Sequence, residues 1–398
     1  LERYGHQAIA MGTQSSSVNH FVGQARSING RDTFAGRTLC EAVSAAYGEQ
    51  LVLPNVNMGR GGFTEPGADP TLDRRFRAEI VSNPVTFALS THGTDGVIPL
   101  GDSPIEDPEL RAQLLSQARE LRDGALEEAS PYGLTFPNSR ARRELLLARR
   151  DTDPRLEQED LIRRLLFVPD LGEILPLEAY GLDSSDQTER IRQVLPGAMP
   201  SSTSGTADDR LQAQAALAYL LLTTGTSCAV TLTEPGTDGF LAFDQSHNSH
   251  RNAQSTHWDR VLDVAHRLIT LLQEAPHADG GSFWDRTLLL FATEFGRDKW
   301  DTGSGYGTGH HLNNGVLMVS PLLAGGQVLG EPDPNNGFIC GFDPVTGEPT
   351  PFDELGPGED PLFSDERLPP SEEQVYGGIC EVLGIQFEGQ QTLPIITR

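Results

Sequence analysis

Imidazole and carboxylate groups crowd one short part of this chain. Seven of its ten histidines fall between His247 and His311. Acid groups are interleaved with them in Phe243-Asp244-Gln245-Ser246-His247, in Glu294-Phe295-Gly296-Arg297, and around the glycine-rich turn that ends in His310-His311. Such a mixture suits a borderline divalent metal, zinc or manganese before calcium. A metal held there polarises a phosphoryl or sulfuryl oxygen, or activates a water. One of His310 and His311 is expected as a metal ligand or anion contact. Arg297 offers a guanidinium able to clamp a tetrahedral anion, though Asp298 and Asp301 are equally near partners. His257, His266 and His277 read as solvated, capping or helix-packing groups.

These groups need a scaffold. The runs Cys228–Thr233, Thr287–Thr293 and Gly315–Ser320 are continuous and apolar, the pattern of buried strands. Between them the spacing predicts helices over Asp209–Leu222 and Thr256–Leu272, the second capped by Thr256. A last helix opens at Ser371 and stops at Gly384. Leu51–Leu53 and Thr86–Leu89 read as short strands. Pro108–Glu128 and Arg142–Leu166 have helical spacing, so residues 103–195 are expected as an inserted helical cap. Residues 196–210 read as an exposed loop. The fold class is α/β, a three-layer α/β/α sandwich with a mostly parallel sheet, all three apolar strands lying in it. Ligands in such sheets gather beyond the carboxyl ends of the strands, where Asp244, His247 and Glu294 fall.

Composition narrows the partners. With 30 basic and 56 acidic residues the formal net charge is −26, which repels nucleic acid and anionic lipid. No run of eighteen apolar residues spans a membrane, and no signal peptide is seen. The chain opens at Leu1, so a leader removed on export is expected. Cys40, Cys228, Cys340 and Cys380 contain no CxxC pair, which argues against a thiolate zinc site. Two disulfides and four buried thiols both remain open.

Several of these motifs together carry a resemblance. Phe243-Asp-Gln-Ser-His247, Leu288–Arg297 with its Thr-Glu-Phe-Gly-Arg, His310-His311, the Leu-Ala-Gly-Gly between Val316 and Gly330, and Val375–Ile385 resemble a large bacterial family of uncharacterised function. That family carries twin-arginine export signals and is assigned to the alkaline phosphatase and sulfatase superfamily. Asn19-His20-Phe21 resembles the family's Ser-His-Phe. The resemblance implies one alkaline-phosphatase-like domain over 1–398, lacking the superfamily's first strand and its nucleophile. It places Asp244, His247, Glu294 and His310 or His311 at metal positions, and His20 and Arg297 are the candidate catalytic residues. Phe295 stands where the superfamily has a ligand histidine, and Asp244 to His247 is one residue longer than the family's spacing. Thr13, Ser15, Ser16 and Ser17 match no nucleophile motif and read as a polar loop.

The expected activity is an exported metal-dependent hydrolase or transferase acting on phosphate or sulfate esters. Its partner is a small anionic ester or a cell-surface glycan, in the periplasm, at the cell surface or outside the cell. The alternative is a non-catalytic secreted surface or matrix protein on the same fold. A third reading, a calcium-stabilised carbohydrate binder, rests on the acid loops Asp333–Asp343 and Asp353–Asp365.

Overall fold

The computed structural model describes residues 2–59, 61–90, 108–121, 124, 134–135, 139, 161–168, 186–199, 209–234, 250–297, 309–332, 338–343, 346, 348–350 and 369–386. The chain divides into two compact units, Leu1–Ser82 with Asp209–Arg398, and Asn83–Asp208.

The first unit opens with β1 (Ala8–Gln14), α1 (His20–Asn29), α2 (Leu39–Tyr47), β2 (Asn55–Asn57) and β3 (Glu79–Ile80). The second contributes α3 (Phe87–Ser90), α4 (Pro108–Leu121), α5 (Leu161–Leu165) and α6 (Asp186–Val194). Thr86–Leu89, expected as a strand, belongs instead to α3, which packs on α5. The chain then returns to the first unit through α7 (Arg210–Thr223), β4 (Ala229–Thr231), α8 (His250–Glu274) and β5 (Leu289–Ala292). The remaining elements are β6 (Gly296–Arg297), β7 (His310–His311), β8 (Asn313–Val319), β9 (Gln327–Leu329), β10 (Gly341–Phe342), β11 (Pro349–Thr350) and α9 (Glu372–Val382).

The architecture is α/β, but the sheets are mixed rather than mostly parallel. One four-stranded sheet has the order β5-β8-β1-β9, with β8 antiparallel to both neighbours and β1 parallel to β9. A separate, wholly parallel sheet has the order β3-β2-β4. The three apolar runs therefore do not share one sheet: β5 and β8 pair, while β4 stands in the other. Apolar runs identify strands, but hydrogen-bonded neighbours are chosen by long-range packing that a local pattern does not carry. Leu51–Leu53, expected as a strand, is an irregular, bent segment leading into β2.

β1 lies at the centre of the four-stranded sheet, registered against β8 from Ala8↔Val319 to Gln14↔Asn313. Strand alternation sends Ile9, Met11, Val316 and Met318 to one face. There they meet Val375, Tyr376 and Ile379 of α9 in a buried core, with Leu288, Leu290 and Ala292 packed against it. On the other face Phe291 meets Trp258 of α8, ring centroids 6.4 Å apart. Helices thus cover both faces of this sheet. α9 starts with a complete capping box between Ser371 and Gln374, which satisfies two otherwise orphaned backbone donors.

A buried polar network ties α1 to α9 across the end of β1. Thr13, expected in a polar loop, is a fully buried strand residue whose hydroxyl donates to Glu372 at 2.7 Å. Asn314 donates to the same carboxylate at 3.1 Å, and Arg26 lies 3.6 Å from its other oxygen. Arg26 also pairs with Asp32 at 2.5 Å. Burial pushes the Glu372 carboxyl above its ordinary range, and its bonds to Thr13, Arg26 and Asn314 pull it back. The Tyr376 hydroxyl donates to the Ser27 carbonyl, closing the contact between the two helices. All four cysteines are free thiols, with Cys340 and Cys380 buried. Burial pushes the Cys228 and Cys380 thiols up to about 12, so they stay protonated and inert as nucleophiles.

Candidate functional site

The site is assembled from the chain just beyond β1 and β5 together with the β6–β7 hairpin. After β1 the backbone turns through Ser15–Val18 into α1. Asn19 caps α1 by accepting from the Phe21 amide at 2.9 Å, and His20 is the first helical residue. After β5, Glu294 follows two residues past the last strand position. Its carboxylate meets α1: His20 Nδ1 lies 2.5 Å from Glu294 Oε2, and Gln24 Nε2 donates to Oε1 at 3.0 Å. His20 and Gln24 are one helical turn apart, so both project from the same face. The His20 side chain is 45% exposed and that of Glu294 14%, so the buried carboxylate orients an imidazole that solvent reaches.

The hairpin supplies the rest. Its register pairs Arg297 with His310 and Gly296 with His311. Gly296 is required there, because a Cβ would fall 1.9 Å from the Asn313 carbonyl oxygen. The His310 ring stands perpendicular to His20, centroids 4.9 Å apart, and lies on Phe295 at 4.1 Å. His310 Nδ1 is 3.1 Å from the Val18 carbonyl. A carbonyl only accepts, so Nδ1 carries the hydrogen and Nε2 is the basic nitrogen of the neutral ring. Strand alternation turns His311 to the opposite side. Its Nδ1 accepts from the Asn313 amide at 3.0 Å, and its ring meets Phe338. The guanidinium of Arg297 lies 5.9 Å from the Phe295 ring.

Of the residues singled out from sequence, His20, Glu294 and His310 come together with Arg297 beside them, and His311 does not join them. Asp244 and His247 lie outside the described residues. Among the described residues no group of three or more His, Cys, Asp and Glu side chains is placed to hold a metal ion. Ser16 and Ser17 also serve the local structure: Ser16 donates to Asp32 at 2.5 Å, and Ser17 accepts from the Asn19 amide at 3.1 Å.

A second charged cluster follows β4. Glu234 Oε1 accepts from Arg260 at 2.7 Å, and Arg260 also reaches Asp209 at 2.8 Å. Asp209 meanwhile caps α7 through the amides of Leu211 and Gln212. His257 Nδ1 is 3.6 Å from Glu234 Oε1, and the buried Glu234 Oε2 has no hydrogen-bond partner among the described residues. Burial drives the Glu234 carboxyl up to about 7, against the pull of Arg260 and with a further push from Asp209. Neither Gln24 nor Glu234 stands out in the sequence. The His20-x-x-x-Gln24 spacing on one helix face is the one local signal that could have found Gln24.

Compared with protein-family models, with curated proteins and with solved structures, the chain matches none. Among the described residues no helix is long and apolar enough to cross a membrane.

Proposed function

We propose that this chain is an exported hydrolase of phosphate or sulfate esters, built on an alkaline-phosphatase-like sandwich. The observation that carries the reading is the 2.5 Å contact between His20 Nδ1 and the largely buried Glu294 carboxylate. A carboxylate that fixes one ring nitrogen leaves the other as the base and stabilises the imidazolium that forms. In this reading His20 Nε2 takes a proton from an attacking water as its oxygen bonds to phosphorus or sulfur. The ester bond breaks, and the leaving alkoxide takes the proton back from the imidazolium. Arg297 pairs with the non-bridging oxygens, whose charge grows in the transition state. A divalent metal would draw on Asp244 and His247, outside the described residues, together with Glu294 and His310 or His311, and no step is assigned to it.

The test is turnover of p-nitrophenyl phosphate and p-nitrophenyl sulfate by the purified protein and by His20→Gln and Glu294→Gln. Each variant is expected to lose about 10²–10⁴-fold. Metal content is read separately by elemental analysis before and after chelation. No turnover of either ester by the unaltered protein, with or without added zinc or manganese, sinks the hydrolase reading. The second reading, a non-catalytic secreted surface protein, is favoured by the packing of Phe295 against both imidazoles.

A further inference from the structure

The two faces of the four-stranded sheet are sealed to different degrees. Toward α9, Ile9, Met11, Val316 and Met318 are buried. On the opposite face Ala10, Leu317, Leu289 and Phe291 are only half-buried. Register sets Phe291, Leu317 and Ala10 side by side on three neighbouring strands. Two of those strands, β1 and β8, are interior to the sheet, so the exposure of Ala10 and Leu317 comes from the face and not from an edge. All four residues line one continuous cavity of about 1500 Å³, together with Val261, Ala265 and Leu268 of α8. Protein interiors ordinarily leave few voids larger than a water molecule, and ordinary small-molecule pockets measure roughly 300–1,000 Å³. Every residue from Thr287 to Arg297 borders the cavity, and so does His20. It therefore follows β5 along its whole length and reaches the imidazole, carboxylate and guanidinium of the candidate site.

We propose that the ester taken by this site carries a long unbranched aliphatic alcohol, with its chain in the chamber between α8 and the sheet and its phosphate or sulfate group at His20 and Arg297. The proposal rests on the hydrolase reading and names its substrate class. A flexible chain suits an elongated wall of aliphatic and aromatic side chains. Each methylene moved there from water tightens binding about threefold to fourfold. The substrate arrives as a single molecule rather than from an anionic bilayer, which the net charge of −26 repels. Water adds to the phosphorus or sulfur, the ester oxygen leaves with its chain and takes up a proton, and an aliphatic alcohol and the free oxyanion result.

Calorimetric titration with ethyl-, hexyl- and decylphosphonate tests it, since their P–C bond is not hydrolysed and binding is read apart from turnover. Below the concentration at which the amphiphile aggregates, affinity is expected to rise at least about 100-fold from ethyl to decyl. Ala265→Trp, which fills the chamber, should remove most of that rise. Decanol, which lacks the anion, should bind at least about tenfold more weakly than decylphosphonate. Affinity independent of chain length overturns the proposal, and leaves the hydrolase reading standing if p-nitrophenyl phosphate is still turned over. A rise that Ala265→Trp leaves unchanged overturns it as well, because the chain then binds elsewhere. So does decanol binding as tightly as decylphosphonate, because the chain then lies apart from the anion. If the rise and its loss in Ala265→Trp are seen but no ester is turned over, the placement of the chain holds and the hydrolase reading alone fails. If Ala265→Trp does not fold, Val261→Thr keeps the volume and adds a hydroxyl to the wall. That variant should weaken decylphosphonate several-fold, and no weakening overturns the proposal.

Discussion

Gly23 lies flat against Glu294. A Cβ at Gly23 would come within 2.7 Å of the Glu294 carbonyl oxygen and 2.9 Å of its Cβ. This close approach lets α1 bring His20 and Gln24 onto the same carboxylate. Gly23→Ala is expected to push α1 off the end of β5, at a cost of about 1–3 kcal/mol from overpacking. Ester turnover should fall further than stability at assay temperature explains. Urea unfolding together with turnover on p-nitrophenyl phosphate checks both halves. Unchanged turnover would mean that the helix need not sit where it does.

Glu372 anchors three elements at once. Glu372→Ala strips Thr13, Asn314 and Arg26 of a shared buried partner and leaves the Arg26 charge short of compensation. The expected loss is about 3–5 kcal/mol, read from the urea midpoint at constant slope. Glu372→Gln keeps an acceptor for Thr13 and Asn314 and should cost distinctly less. Equal losses for the two variants would show that the charge of Glu372, rather than its hydrogen bonds, holds the network.

Stability should respond to pH through Glu234. Its folded carboxyl sits at about 7 against an ordinary 4.5, so between those values the folded state holds a proton that the unfolded state has released. The contribution is fully present below about 4.5 and is lost as pH rises through 7. Glu234→Gln should therefore flatten the part of the stability profile between pH 4.5 and 7. Asp209 works in the opposite sense and in a lower window. Burial raises its carboxyl, but Arg260 and the helix amides outweigh that and hold it below 3.8, so its contribution disappears as pH falls. Thermal melts of the two proteins across pH 4–8 decide it, and parallel profiles would remove Glu234 from the account.

Reductant should change nothing. With all four thiols free, the melting temperature is expected to be the same with and without dithiothreitol. Denatured, unreduced protein should titrate four thiols per chain. A count of two or none would restore the disulfide alternative that an even number of cysteines leaves open.

What the sequence revealed was local. The capping box at Ser371 and the stop at Gly384 were readable because both signals sit within a turn of the helix end. α8 begins at His250, six residues before the expected Thr256. Its first turns, His-Arg-Asn-Ala-Gln-Ser, have no apolar stripe, so periodicity showed only the packed part. β1 escaped notice because Ala-Ile-Ala-Met-Gly-Thr-Gln carries only two large apolar residues and contains a glycine. Its reason for being a strand is β8, some three hundred residues away. Glu294 and His310 were legible from the rule that ligands gather at strand ends. Gln24 and Glu234 were not, since an amide or a lone glutamate has no signature until its helix face or burial is known.

The central place of β1 sets a clock on assembly. Ala8 must wait for Val319 and Gln14 for Asn313 before the four-stranded sheet can close. At a synthesis rate of about 5–20 residues per second, β1 stays unpaired for roughly 16–60 s after it is made. Ile9 and Met11, destined for the core, spend that time exposed on an unpaired strand, the state most open to aggregation. Contacts of such sequence separation also slow refolding from denaturant, since the loop must close before its pairing is rewarded. Shielding Ala8–Gln14 until residues 313–319 have been made would shorten that exposure.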